Sequence, residues 1–198
     1  MDLLVVGLGN PGAEYEGTRH NIGADAVEVL AARHHGTLSA EKGLRARAGT
    51  IRIGDHPVLC AVPLTYMNES GLAVAPLVRR AGIEPPADGA AATSRLVVVH
   101  DELDLPSGRV KVKAGGGTAG NNGLKSIHAH LHTGDYLRVR IGIGKPPGRQ
   151  PGADYVLKRP GKEEREALAV AAEVAADAVE LLATLGVEAA MNRVNAAE

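Results

Sequence analysis

The stretch LLVVGLGNPGAEYEGTRHNIG, residues 3–23, decides how the chain begins to fold. Residues 3–6 form an apolar run typical of a buried strand, and helical spacing of apolar residues starts only at Asn21. Between them, GLGNPG at residues 7–12 matches the glycine spacing of a dinucleotide-binding loop. That motif needs a helix directly after the glycines, to cap a pyrophosphate, whereas here a polar, irregular stretch intervenes. The glycines therefore predict a tight turn beyond a strand rather than a dinucleotide site.

The remainder of the chain alternates between strand and helix patterns. Apolar runs and alternation predict strands at residues 45–53, 58–62, 96–99, 110–114 and 136–143. Helical spacing predicts helices at residues 21–32, 70–81, 122–131 and 163–195, the last broken near Gly186. The composition of residues 85–94 predicts a loop, and no linker of convincing length divides the chain. We therefore expect a single α/β domain over residues 1–198, with a central mixed sheet and a C-terminal helical segment.

The composition is that of an ordinary globular protein, 44% hydrophobic and 23% charged over 198 residues. The chain has four Tyr and neither Phe nor Trp, so an RNA partner would be held by charge and hydrogen bonds more than by base stacking. The single cysteine, Cys60, excludes an internal disulfide and fits a reducing compartment. No apolar run approaches the length of a membrane span. These features predict a soluble cytoplasmic protein that does not bind membranes.

Charge is unevenly distributed along the chain, although the formal net charge is only -1. Residues 107–150 are strongly basic, and residues 161–198 are strongly acidic. A basic region in a nearly neutral protein favours an anionic partner that approaches one face, with an ordinary solvated surface as the alternative. Within the basic region, HAHLH at residues 128–132 looks like a metal-binding tract, but a helix would spread its members over two faces. We therefore interpret this tract as a solvated surface.

Two strand ends carry the residues from which we predict the chemistry. His20 lies in the loop beyond the first strand, and HDELD at residues 100–104 follows another. Ligand sites in open α/β sheets gather beyond the carboxyl ends of strands, where a carboxylate could accept a hydrogen bond from the imidazole and fix its tautomer. A divalent-metal site is the alternative, because hard cations prefer clustered carboxylates. In a continuing strand, however, Asp101 and Glu102 would point to opposite faces.

Three asparagines lie in predicted loops beside these strand ends: Asn10, Asn68 and Asn122. An amide both donates and accepts hydrogen bonds, so these side chains could grip a peptide backbone or stabilise an oxyanion. A turn or helix-cap role is the alternative for each of them. Ser70 lacks the surroundings of a nucleophilic serine. We therefore favour attack by a water molecule that His20 activates.

Several long blocks of the sequence resemble bacterial peptidyl-tRNA hydrolase. They are VVGLGNPGAEYEGTRHNIGADAVEVLA (residues 5–31), PLTYMNESG (63–71), HDELDLPSGRVKVKAGGGTAGNNGLKS (100–126) and RVRIGIGKPPG (138–148). The resemblance continues to AMNRVN at residues 190–195, so it covers nearly the whole chain in order. The first block alone is highly specific for this family.

The resemblance implies a single α/β domain with a twisted mixed β-sheet flanked by helices. It implies an enzyme that hydrolyses the ester joining a peptide to the 3′ ribose of tRNA, with no cofactor, no metal and no membrane. Its partner would be peptidyl-tRNA, and we expect a cytoplasmic monomer. His20 would be the base that activates water, and Asp101 would orient it. A non-catalytic RNA-binding module of the same fold is the alternative, which the presence of both residues disfavours.

The resemblance also implies binding residues. Those that would bind the substrate are Asn10, Tyr15, Tyr66, Met67, Asn68 and Asn122. Those that would contact tRNA phosphates are Lys111, Lys113 and Arg140, which lie in the basic region. The chain departs from the family pattern at three positions. Val62 stands where a lysine is usual, and Thr118 and Asn121 stand where the glycine-rich loop usually carries histidines.

Overall fold

The strands of the chain form one mixed sheet, as the alternating pattern predicts. The computed structural model describes residues 1–83 and 93–197. The strands in this part of the chain are β1 (Leu3–Gly7), β2 (Ser39–Glu41), β3 (Ala46–Ile53), β4 (His56–Pro63), β5 (Thr93–Glu102), β6 (Val110–Ala114) and β7 (Tyr136–Gly142). They form one seven-stranded sheet in the order β2-β3-β4-β1-β5-β7-β6. Strands β4, β1, β5 and β7 run parallel to one another, whereas β3 and β6 are antiparallel to their neighbours. The predicted α/β class is confirmed.

Helices cover both faces of the sheet. They are α1 (Ile22–Arg33), α2 (Gly71–Arg80), α3 (Asn122–Leu131), α4 (Gly152–Val156), α5 (Lys162–Leu185) and α6 (Val187–Ala196). Short 3-10 turns occur at Ala13–Tyr15, Arg19–Asn21, Lys42–Leu44 and Met67–Glu69. The break between α5 and α6 lies at Gly186, which has a positive φ of 86°. No helix in the described ranges is both long and apolar enough to cross a bilayer.

The sheet separates two aliphatic layers because side chains alternate along its buried strands. On what we term the α1 face, β5 presents Val97 and Val99 to a layer that includes α1, α5 and α6. On the opposite α3 face, Leu96 and Val98 pack in a layer that includes α2 and α3. The start of α1 on one face and the start of α3 on the other therefore both lie near the carboxyl ends of the central strands.

The structure differs from the sequence prediction at several boundaries. Strand β5 continues to Glu102, beyond the predicted end, because residues 97–102 pair in parallel with β7. The short elements β2 and α4 were missed, since segments of three and five residues show no clear periodicity. Of the predicted loop at 85–94, residues 85–92 lie outside the described part of the chain, and residues 93 and 94 belong to β5 because the strand begins at Thr93.

Close backbone packing brings the start of α1 onto the sheet. A Cβ atom added at Gly23 would overlap the Val99 carbonyl oxygen, and one added at Gly7 would overlap the Gly23 carbonyl oxygen. Glycine at both positions therefore allows α1 to approach β1 and β5 at backbone contact distance. This approach places the turn before α1 beside the end of β5.

Candidate active site

His20 and Asp101 meet at the carboxyl end of β5. The His20 Nδ1 atom lies 2.8 Å from Asp101 Oδ2, and both side chains are buried. A carboxylate accepts hydrogen bonds, so Nδ1 carries a proton toward Asp101, and in the neutral tautomer that this selects Nε2 has the lone pair. Strand alternation turns Asp101 toward α1 and Glu102 toward the opposite face, as predicted. The carboxylate therefore fixes the orientation of the imidazole, an arrangement that would suit a general base.

The second oxygen of Asp101 is held by a residue that the sequence analysis did not assign to the site. Asn121 Nδ2 donates to Asp101 Oδ1 at 3.2 Å, while Asn121 Oδ1 accepts from the Leu124 N–H at 3.1 Å. Asn121 is therefore the N-cap of α3 and a brace for the carboxylate. The available signal was its place directly before a predicted helix, a position that favours Asn.

A cavity of about 210 Å³ opens beside this pair. Its lining includes His20, Asp101, residues 119–122, and Gly152, Ala153 and Val156 of α4. Asn122 is exposed at this lining, with its amide group available to a ligand. The cavity can therefore hold a reacting group next to the imidazole, between the start of α3 and α4.

A second group of residues surrounds the turn that follows β1. We term Asn10 of this turn, together with its partners Asn21 and Met67, the asparagine turn. Asn10 Oδ1 accepts from the Met67 N–H at 2.7 Å. The Asn21 side chain bonds the Asn10 backbone twice, accepting from its N–H at 2.8 Å and donating to its carbonyl at 2.9 Å. The sequence analysis did not assign Asn21 to the site. These bonds join the end of β1, the 3-10 turn at Met67–Glu69 and the start of α1.

The remaining predicted substrate residues flank the asparagine turn rather than the cavity. The rings of Tyr15 and Tyr66 meet edge to face, with centroids 6.2 Å apart, and Tyr66 is 52% exposed. Asn68 is exposed. Met67 is buried, and a Cβ added at Gly123 would lie 2.6 Å from its sulfur. Met67 therefore supports the start of α3 from beneath.

The predicted phosphate-binding residues share the α3 face of β6 and β7. Lys111 lies opposite Arg140, and Lys113 lies opposite Arg138, in the antiparallel pairing of the two strands. Like charges in directly opposed positions repel one another, so this face of the strand pair concentrates positive charge. Arg140 also forms an ion pair with Glu102, at 2.9 Å.

The interpretation of residues 128–132 as a solvated surface is wrong for His128. Its ring is half-buried and meets the Tyr136 ring edge to face, with centroids 5.6 Å apart. Burial and the neighbouring Arg138 guanidinium lower the pKa of His128. The cause of the error is the return of β7 beneath α3, which the local pattern does not reveal. Among residues 1–83 and 93–197, no group of three or more His, Cys, Asp or Glu side chains is placed to hold a metal.

Comparison with known proteins identifies the family. The family model described as peptidyl-tRNA hydrolase matches residues 4–198. The chain belongs to the peptidyl-tRNA hydrolase family. The members of this family are hydrolases that act on an ester bond.

Relatives match the chain over nearly its full length. The peptidyl-tRNA hydrolase of Nocardia farcinica is 50% identical, covering 97% of this chain and 95% of its own. That of Cutibacterium acnes is 46% identical and covers 97% of each chain. The crystal structure of peptidyl-tRNA hydrolase from Acinetobacter baumannii is 37% identical and has a TM-score of 0.89, covering 99% of this chain and 95% of that one. The fold expected from the resemblance is therefore confirmed.

Proposed function

We propose that this chain hydrolyses the ester between a peptide and the 3′ ribose of tRNA, releasing free peptide and tRNA. The observation that carries the proposal is the buried His20–Asp101 pair, 2.8 Å apart and facing a cavity, in a member of the peptidyl-tRNA hydrolase family. Among the described residues that line the cavity there is no Ser, Thr, Cys, Lys or Tyr. With His20 assigned as the base, we take water as the nucleophile.

In the first step, His20 Nε2 removes a proton from the attacking water as its oxygen bonds to the ester carbonyl carbon. The Asp101 carboxylate, hydrogen-bonded to Nδ1, holds the ring in the required tautomer and stabilises the imidazolium that forms. General-base catalysis of this kind contributes roughly 10²–10⁴-fold to the rate. Asn121 keeps the carboxylate facing the imidazole by holding its other oxygen.

In the second step, the tetrahedral intermediate collapses and the ribose 3′-oxygen leaves with the proton from His20. Amide N–H groups of Asn10, Asn68 and Asn122 supply donors for the developing oxyanion and for the peptide backbone. The Asn10 amide is aimed by its own oxygen, which the Met67 N–H holds. The products are a free 3′-hydroxyl and a carboxylic acid, which releases its proton to solvent and becomes a carboxylate.

The tRNA would be bound along the cationic α3 face by Lys111, Lys113 and Arg140. Lys113 is exposed and the other two are partly so, which suits contact with phosphates. Each phosphate neutralised would release counterions and make binding salt-dependent. The proposed site is complete within one chain, and we propose that the protein acts as a cytoplasmic monomer without a metal.

The test is hydrolysis of an N-acetylated aminoacyl-tRNA by the wild type and by His20→Ala and Asp101→Asn variants. We expect turnover to fall by about 10²–10⁴-fold in His20→Ala, because the base is lost. Binding of tRNA, measured by filter retention, should stay near the wild-type level in both variants. Unchanged turnover in His20→Ala would refute the assignment of the base. A wild type that binds tRNA without cleaving the ester would favour the non-catalytic RNA-binding alternative.

A further inference from the structure

The segment that carries Asn121 to Asp101 has little secondary structure of its own. We term residues 115–121 the glycine loop. Four of its residues have positive φ: Gly115 (67°), Gly116 (121°), Ala119 (47°) and Gly120 (79°). Glycine-rich backbone of this kind loses much conformational freedom on ordering, so something must fix it. Its position matters because Asn121 braces the carboxylate that orients His20.

One buried cation grips the loop. Arg138 on β7 is only 3% exposed, and its guanidinium donates hydrogen bonds to the carbonyl oxygens of Gly116, at 2.6 Å, and Gly117. The same group reaches the Gly134 carbonyl at 3.1 Å. A guanidinium presents its donors in a rigid, planar fork. Hydrogen bonds to two consecutive carbonyls therefore fix both the position and the direction of the loop backbone relative to β7.

Two rings hold the guanidinium in turn. Arg138 Cζ lies 4.8 Å from the centroid of the Tyr136 ring, and Arg138 Nη2 lies 3.3 Å from His128 Nε2. Since arginine only donates, the His128 nitrogen is the acceptor and the imidazole is neutral. The cation therefore sits between a ring face and a ring nitrogen, with little freedom to turn.

Burying this charge is unfavourable by itself. Burial lowers the pKa of Arg138, and the carboxylates of Glu102 and Asp135 act in the opposite direction. The Arg138 Nε atom is buried without a hydrogen-bond partner in the described residues. An apolar residue could fill a core position on β7 without these penalties. A buried cation is therefore costly at this position, and its hydrogen bonds to the Gly116 and Gly117 carbonyls are what it contributes to the glycine loop.

We propose that Arg138 is a positioning residue: by clamping the glycine loop, it holds Asn121 on Asp101 and thereby keeps Asp101 aligned with His20. The inference rests on the proposed function, since its consequence is read in ester hydrolysis. It assigns Arg138 a role separate from phosphate binding, because this side chain is turned inward onto carbonyl oxygens. Its neighbour Arg140 is instead ion-paired and partly exposed.

The first test compares Arg138→Lys with wild type on an N-acetylated aminoacyl-tRNA. Lysine keeps the charge but loses the fork, so we expect kcat to fall by roughly 10–100-fold while KM stays within about twofold. The matched control is Arg95→Lys. Arg95 also donates to backbone carbonyls, including that of Gly82 at 3.2 Å, but lies near the start of β5. This variant should keep wild-type kcat. A raised KM with unchanged kcat in Arg138→Lys would overturn the proposal in favour of a tRNA contact.

The second test is a double-mutant cycle with Asn121→Ala. If Arg138 acts through Asn121, the double variant should lose no more kcat than Asn121→Ala alone, whereas independent roles would multiply. Multiplying losses would overturn the proposal. Should Arg138→Lys fail to fold, Asn121→Ala still decides, because an unchanged kcat there removes the link on which the inference depends.

A third measurement separates this inference from the proposed function. Hydrogen exchange of the amides at residues 116–121 should be faster in Arg138→Lys than in wild type, whatever the substrate. If the wild type cleaves no acylated tRNA, the proposed function fails while faster exchange still supports the clamp. Unchanged exchange in this loop would overturn the clamp even with an active enzyme.

Discussion

The asparagine turn and the glycine loop approach the His20–Asp101 pair from two sides, and they are stabilised in different ways. The asparagine turn is held by neutral amide–backbone bonds at strand and helix ends, with Asn10 bonded to Asn21 and Met67. The glycine loop has left-handed backbone and depends on a buried guanidinium from another strand. The asparagine turn should therefore respond to the loss of its amide side chains, and the glycine loop to the loss of the guanidinium fork on β7.

Asn21→Ala should disrupt the asparagine turn, and we expect its effect on stability and turnover to be larger than those of Lys113→Ala and His128→Gln. It removes two hydrogen bonds to the Asn10 backbone and should lower the free energy of unfolding by about 1–3 kcal/mol. Turnover should fall as well, because Asn10 and the start of α1 lose their alignment. Urea denaturation and ester hydrolysis measure the two effects.

Asn195→Ala is the matched control for that variant. The Asn195 side chain forms two hydrogen bonds with the Val112 backbone in the same manner, at 2.8 and 2.9 Å. Asn195 lies on α6, however, and does not contact the asparagine turn in the described residues. It should lose comparable stability and keep wild-type kcat. If both variants lost turnover equally, the asparagine turn would have no special part in the site.

Lys113→Ala should change the glycine-loop side more modestly. Removing one phosphate contact should weaken tRNA binding and reduce the slope of log affinity against log salt by about one. Stability should rise slightly, because Lys113 no longer faces Arg138 across the strand pair. Binding titrations at several salt concentrations check the slope. An unaltered slope would remove Lys113 from the phosphate contacts.

Lowering the pH should have the smallest effect, a loss of stability on the glycine-loop side, where His128 contacts Arg138. Burial lowers the pKa of His100 and of His128, with Arg138 adding to the effect at His128. As pH falls below the ordinary value of about 6.5, the unfolded chain binds protons that the folded protein does not, and stability declines. His128→Gln should show a smaller decline between pH 7.5 and 5.5 than wild type, measured by urea midpoints.

Comparing His128→Gln with wild type also removes the contribution of Asp25, which opposes the loss of stability in acid. Burial raises the pKa of Asp25 to about 6, so its ionised form destabilises the folded protein above that pH and this penalty fades as pH falls. The effect is common to wild type and His128→Gln, and it cancels in their difference. An equal decline in the two proteins would show that His128 does not contribute to the acid response.

The sequence predicts the positions of His20 and Asp101 near the carboxyl ends of strands, because apolar runs and their polar termini are local features, although β5 itself continues through Asp101 to Glu102. The edge of a parallel sheet brings such residues together. Asn21, Asn121 and Arg138 could not be assigned from the same pattern. Their partners are backbone atoms of the turn at Asn10 or the glycine loop, or a carboxylate on another strand, contacts that depend on the tertiary fold.

Alternation along β7 contained part of the missing information. In YLRVRIGI, the apolar positions predict one buried face, which leaves both arginines on the other. Only the structure distinguishes them, since Arg138 turns into the glycine loop while Arg140 reaches Glu102. How deeply an arginine is buried depends on which other segments pack over that face of the sheet. The periodicity of the strand alone does not predict this.

The backbone contact of Gly23 with Val99 has a consequence for how this protein tolerates change. The spacing between the turn that carries His20 and the strand that carries Asp101 is set by main-chain atoms rather than by aliphatic side chains. Substitutions such as Leu30→Ala in the layer beneath α1 would loosen the interior while the two segments still abut. The geometry of the His20–Asp101 pair and thermal stability are thus partly decoupled. At Gly23 the two are coupled, because even one methyl group there would overlap the Val99 carbonyl oxygen and push the helix off the sheet.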